Sequence, residues 1–268
     1  MKKYVSNLFS ITLAFVIIYL FWNFVRQPSC PAHMADGQRS KTGTTELSDT
    51  IIVGTNAEYQ PFSFLRDGTI VGFDIDVAKE VVKRLGKNIE IIDMPFDMLL
   101  PCLQMGTVQI IAAGISPKPS RAKHVLFTKP YFENDPLLVI TPKKDAPITT
   151  LDQLDGKTVV VNDGYTADSY MSERKNVRIQ RLATPAQALL ALSSGRADAY
   201  VAATSSVQRF LATHPDEYNT YTIGDTSDTY ALVISPEHAA LLQPIQDALD
   251  GMLKDGSIDA LKKTWGLA

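Results

Sequence analysis

Cysteine and histidine are scarce in this chain of 268 residues: there are two of the first and four of the second. Cys30 and Cys102 stand far apart and fall in no metal-type or redox-type spacing. His124 and His214 have no companion at ligand spacing, so neither a metal centre nor a cofactor is expected. A charge excess is missing too. Lys and Arg total 26 against 29 for Asp and Glu, a net charge of -3, and no basic block stands out. A nucleic-acid partner is thereby disfavoured. Hydrophobic content is 45% and charged content 21%, an ordinary globular balance with length enough for two modest cores.

The N-terminus departs from that balance. Lys2 and Lys3 precede an apolar run from Leu8 to Val25, a basic region followed by a hydrophobic one. Its length is large for a signal peptide and nearly enough to span a bilayer. Cys30 follows in "RQPSC", which resembles a bacterial lipoprotein processing site except that Gln27 and Pro28 replace the usual residues. Two readings stand level for residues 1–30, a lipoprotein signal and an uncleaved anchor. Both put the folded part outside the cytoplasmic membrane, in the periplasm or at the cell surface. Residues 31–48 are polar and aperiodic, the composition of a flexible tether.

From Thr50 onward, β-type runs alternate with helical patterns. "TIIVGT" reads as a buried strand and "GFDIDVAKEVVKRLG" as a helix, with Phe73, Val77, Val81 and Leu85 at steps of four and Gly86 as its stop. Asp74 and Asp76 occupy its first turn, where carboxylates offset the helix dipole; a structural role is expected for both. "PFDMLLPCLQMG" is helical, with Pro101 either kinking it or near its end. Cys102 on this helix is expected to fill core space. "NIEIID" and "VQIIAAG" are strands. The pattern restarts with "KTVVVNDG", "VRIQRL", a helix capped by Thr184, and "ADAYVAA". Two helices close the chain. The expected class is α/β, with parallel sheets covered by helices on both faces. Two lobes facing one another would present strand ends to a shared cleft.

"GFDIDVAKEVVKRLG", "IIVGTNAEYQPFSF" and "IIAAGISPKPSRAKHVLFTKPYF" resemble the signatures of family 3 extracytoplasmic solute-binding proteins, the polar amino acid binders of ABC importers. "LDQLDGKTVVVNDG", "SSGRADAYV" and "LKDGSIDALKKTWG" follow in the family's order. The resemblance covers Ile51 to Gly266 and is strongest to arginine- and glutamine-binding members. It implies a two-lobed periplasmic-binding-protein fold of type II with hinge-linked lobes and a central cleft. Residues 49–133 and 229–268 would form the first lobe and 134–228 the second. The hinge strands would lie near Tyr131–Pro136 and Asp225–Tyr230.

An α-amino acid needs a cation and N–H donors for its carboxylate, an acceptor for its ammonium, and a matched side-chain pocket. By resemblance, Arg121 takes the carboxylate, Ser116 adds a hydroxyl, and Gly114 offers its carbonyl to the ammonium. On the opposite wall Gly164, Tyr165 and Thr166 begin a helix after a strand, so their free N–H groups should point into the cleft, and by resemblance Thr166 would donate its N–H to the carboxylate. Tyr59 and Phe96 would sandwich the ligand's side chain, with Asn56 as a polar neighbour that both donates and accepts. One departure stands out. The position where relatives carry an ammonium-pairing aspartate is Ala203. Asp163 and Glu58 are the acids expected nearest the cleft.

The leading expectation is a non-enzymatic, monomeric binding protein that closes over a small amino acid, arginine or glutamine, and presents it to the permease subunits of an ABC importer. Two alternatives stay open: a dehydratase-like enzyme of the same fold, and a binder of solutes without a free α-amino group. An enzyme needs a positioned acid in the cleft, and Ala203 removes the best-placed candidate. A sensor ectodomain would need a second membrane segment and a signalling domain, which the sequence does not contain.

Overall fold

The computed structural model describes Cys30 and residues 49–267. The chain divides into two compact units, residues 1–42 and residues 43–268. The readings of residues 1–29 as signal or anchor and of 31–48 as tether lie outside the described residues. Among the described residues, no helix is long and apolar enough to cross a membrane.

Two five-stranded sheets organise the second unit. The first runs in the order Asn88–Asp93, Thr50–Thr55, Ile110–Ile111, Val233–Ile234, Leu126–Phe127. The second runs Arg178–Leu182, Thr158–Asn162, Ala199–Ala203, Leu137–Pro142, Tyr218–Thr222. In each, the first three strands are parallel. The remaining pairings are antiparallel, so wholly parallel sheets are not what forms. The reason lies in the connections. Parallel neighbours need a crossover helix, whereas antiparallel ones need none. Leu137–Pro142 and Val233–Ile234 enter their sheets directly from a short ladder between Phe132–Asp135 and Asp228–Tyr230. That ladder joins the two halves, and in it Asp228 is the register partner of Asp135.

The helix Phe73–Arg84 buries Phe73, Val77, Val81 and Val82. Those side chains share one core cluster with Ile51 and Ile234 of the first sheet and with Ile245, Leu249, Met252 and Ile258 of the two closing helices, Leu242–Lys254 and Ser257–Trp265. The chain's last helices thus pack on its first sheet. The first turn carries Asp74 and Asp76. Asp76 Oδ2 accepts the indole N–H of Trp265 at 2.9 Å, tying the last helix to the first. The second sheet has clusters on its two faces. Val159, Val161 and Val201 belong to one, and Val160, Tyr200 and Ala202 to the other.

Several local expectations meet their test here. The helix Phe96–Gln104 runs through Pro101 without ending there. Thr184 caps Pro185–Ser193, its hydroxyl accepting the N–H of Gln187. The helix Thr204–Thr213 and the three-stranded meander Glu58–Tyr59, Ser63–Arg66, Thr69–Val71 have no counterpart in the sequence reading. The helix opens on Thr-Ser-Ser, poor helix formers. The meander's strands are too short to show alternation. Cys102 is fully buried, but neither it nor Cys30 is a free thiol; both are disulfide-bonded. Cys102 is therefore more than a reduced core filler. The lipoprotein reading of Cys30 also fails here, because a sulfur in a disulfide cannot carry a thioether lipid.

Candidate functional site

The carboxyl ends of the strands from both sheets converge on one cavity. It is lined by Tyr59, Phe96, Gly114, Ser116 and Arg121 from the first half and by Tyr165 and Thr166 from the second. Asn56 is the residue of the expected set that does not line it. Its side chain is buried, its Nδ2 donates to the Met94 carbonyl at 3.1 Å, and its Oδ1 has no partner.

The first wall is held rigidly. Ser116, Pro117, Lys118 and Pro119 lead into the short helix Pro119–Ala122, which carries Arg121. Two prolines fix the approach and reduce the entropy lost when the loop binds anything. The guanidinium donates to the Ser116 carbonyl at 3.2 Å and to the Gly164 carbonyl of the opposite wall at 2.7 Å. It also lies 6.0 Å from the centroid of the Phe96 ring. Burial pulls Arg121 below its usual pKa, and the negative charge of Asp228 counters part of that. Burial also lowers Lys118 to about 8, with Arg121 adding repulsion.

Gly114 sits at φ +59°, and a Cβ there would lie 2.8 Å from Tyr59 Cε1. Only glycine fits this backbone at this distance. Its N–H donates to Asp74 Oδ2 at 2.5 Å. Asp74 does not line the cavity; it acts behind the wall, anchoring the loop that does. Burial raises its carboxyl to about 7, against the pull of Tyr131 and the Gly114 N–H. Tyr59 stacks on Phe62 with centroids 5.2 Å apart and planes at 19°. Its hydroxyl meets that of Tyr230 at 2.9 Å, and Tyr230 donates to Asp135 Oδ2 at 2.8 Å. Asp135 in turn accepts the N–H and hydroxyl of Ser205. A hydrogen-bonded chain thus runs from a cleft aromatic through the connecting ladder to the helix Thr204–Thr213.

The second wall is built from main chain and small side chains. Gly164 and Tyr165 precede the helix Thr166–Met171. Their N–H groups do not both point into the cleft as expected. Gly164 donates to Asp168 Oδ2 and Tyr165 to the Asn162 carbonyl. Local turn bonds satisfy these donors first. Thr166 reaches across, its Oγ1 lying 3.2 Å from Ser116 Oγ. The Tyr165 ring packs against Phe96 at 4.4 Å and edge-on to Tyr59 at 5.4 Å, with its hydroxyl buried and unpartnered. It thus occupies the aromatic slot. The inner cavity is about 20 Å³, room for a water and not for an amino acid. A larger space of about 320 Å³ lies outward, between Phe96, Lys118, Arg121 and Asp163.

Sequence reading missed three polar residues of the cavity: Asn162, Ser206 and Asp228. Asn162 ends a strand whose register the sequence shows, and "VVVN" was a usable signal. Its Oδ1 accepts the Tyr200 hydroxyl at 2.6 Å. Ser206 lies on the unrecognised helix. Asp228 accepts a short hydrogen bond from the Ser116 hydroxyl. Burial raises its carboxyl, while the Ser116 and Thr166 hydroxyls and the charge of Lys118 hold it down. Ala203 also lines the cavity. Asp163 reaches only the outer space, and Glu58 is exposed, so neither expected acid enters the inner cavity. Among the described residues, no group of His, Cys, Asp and Glu could hold a metal ion.

The chain is similar to known proteins. ABC transporter arginine-binding protein 1 of Escherichia coli (strain K12) is 30% identical over 233 residues, covering 84% of this chain and 94% of that protein. An ancestral arginine-binding protein bound to arginine superposes with a TM-score of 0.75 at 32% identity, covering 81% of this chain and 98% of that one. An ancestral arginine-binding protein bound to glutamine gives 0.75 at 31% identity, with 83% and 100% covered. Residues 51–268 match the pattern of one family throughout. The two sheets, the short ladder between them and the cleft at their strand ends are those of this family's two-lobed α/β fold, and the chain belongs to the bacterial extracellular solute-binding proteins, family 3.

Proposed function

We propose that this protein is the ligand-binding component of an amino acid ABC importer, taking up arginine or glutamine in the cleft and presenting it to permease subunits. One observation carries the reading. A guanidinium rooted in the first lobe bridges to the main chain of the second, with hydroxyls of Ser116 and Thr166 side by side from opposite lobes. A carboxylate seated at Arg121 would take over the bond now made to the Gly164 carbonyl. It would be gripped from both sides, which is what closure driven by a ligand requires. Tyr59 and Phe96 then flank the side chain once the Tyr165 ring yields its place. The resemblance to proteins named for arginine, and to one solved with glutamine, supports the same pair. The protein works outside the cytoplasmic membrane, in keeping with its extracellular family.

The test is a thermal-shift screen of the standard amino acids followed by calorimetry on the hits. A ligand bound only by the native state raises the melting temperature by mass action. The expected outcome is a shift with L-arginine or L-glutamine. No shift with any amino acid would overturn the reading.

A further inference from the structure

An amino acid brings a cation as well as an anion into the cleft, and the cation needs a partner once water is excluded. The second lobe offers none at the usual place, since Ala203 presents a methyl group there, at 8% exposure. Among the described residues lining the inner cavity, Asp228 is the one carboxylate. It is 7% exposed, and among the described residues no cationic group lies within ion-pair distance of it. It sits where the two lobes touch, bonded to Ser116, the same residue whose carbonyl receives the Arg121 guanidinium.

We infer that Asp228 is the acceptor for the ligand's α-ammonium group, so that the acid of the binding site stands on the strand connecting the lobes and not on the second lobe. The inference rests on the amino acid reading above. Its geometry fits a zwitterion: Arg121 and Asp228 are anchored on one loop residue, Ser116, and an α-carbon between them would place carboxylate and ammonium each beside its opposite. A second carboxylate strengthens the case. Asp135 is the ladder partner of Asp228 and is itself buried, and the two charges disfavour one another. A cation at Asp228 relieves both. Burial holds the Asp228 carboxyl above its usual value, while the Ser116 and Thr166 hydroxyls and the charge of Lys118 pull it down.

The test uses the full chain and calorimetry with L-arginine and 5-guanidinopentanoate, its analogue without the α-amino group. L-glutamine and glutaramate replace them if glutamine is the better ligand. Asp228→Asn is isosteric, and its melting curve checks the fold. Expected is a loss of about 100-fold or more for the amino acid, while the deamino analogue binds Asp228→Asn at least as tightly as it binds the unaltered protein. Adding Ala203→Asp to Asp228→Asn should return tenfold or more of the lost affinity by restoring an acid to the second lobe. Native affinity for the amino acid in Asp228→Asn, or an equal loss for both ligands, overturns the assignment and leaves the importer reading standing. Failure of the unaltered protein to bind any α-amino acid overturns both.

Discussion

The two walls of the cleft are made of different material. The first consists of committed side chains on a stiff scaffold: Arg121 just after two prolines, Tyr59 stacked on Phe62, Gly114 pinned by a buried Asp74. The second consists of a turn, a short helix and small groups: Gly164, Thr166, Ala203 and Ser206. Tyr165 is the exception, and it leans on the first wall. A wall of side chains sets what is bound. A wall of main chain, able to meet any carboxylate, sets whether the lobes close around it. On the proposed reading, this asymmetry would let one lobe hold the ligand while the other responds to its arrival.

The most forceful way to break this comparison is Arg121→Ala. It should weaken amino acid binding more than 100-fold, about 3 kcal/mol or more, with melting behaviour little changed, because the guanidinium contacts loop carbonyls and not the core. Near-native affinity by calorimetry would move the anchor to the other wall. Gly114→Ala comes next. The added methyl meets the Tyr59 ring at a left-handed backbone position, costing about 1–3 kcal/mol of stability and roughly tenfold in affinity by the same order of energy. Urea unfolding and calorimetry would each register it, and an unchanged protein would show that the loop is looser than it looks.

The third test concerns pH. The native chain keeps the Asp74 proton up to about pH 7, whereas an unfolded chain loses it near pH 4. Between those values the unfolded state holds fewer protons, so stability falls as pH rises, by up to about 4 kcal/mol from this group. Asp135 and Asp228, also raised, act in the same direction. Asp74→Asn should therefore flatten the pH dependence of urea midpoints across that window without abolishing it. A slope identical to the parent's would mean that the buried carboxyl is not holding its proton.

The smallest effect should come from Tyr165→Phe. Removing a buried, unpartnered hydroxyl should stabilise the protein by about 1 kcal/mol. If a ligand must displace this ring, the same change should weaken binding a few fold. Unchanged or tighter binding would show that the ring does not have to leave its slot for the ligand.

The first wall was far more legible than the second. "GISPKPSR" compresses hydroxyl, prolines and arginine into one segment, so spacing alone brings them to one loop. Apolar periodicity marked the helix Phe73–Arg84, and Thr184 announced its helix by a local bond. The second wall is assembled from strand ends some forty residues apart, 162 and 203, whose meeting depends on sheet register. Its donors are backbone groups, which every residue carries. The reading of free N–H groups at Gly164 and Tyr165 failed because a turn consumed them. Asp228 was overlooked because nothing around "SDTYALV" distinguishes a cleft carboxylate from a loop one.

What the sequence alone determined, therefore, was whatever is decided within a few residues: the α/β class, the buried helix faces, the stiff arginine loop and the family likeness those segments carry. Tertiary structure decided the rest. It turned the outer strands antiparallel, packed the final helices on the first sheet, swung Tyr165 into the aromatic slot, and brought Asp228 beside Ser116 across 112 positions of chain. The physical reason is one of range. Propensity, capping and periodicity act over a turn or two of chain, whereas the electrostatic partnerships of a cleft depend on how sheets register and how two lobes meet.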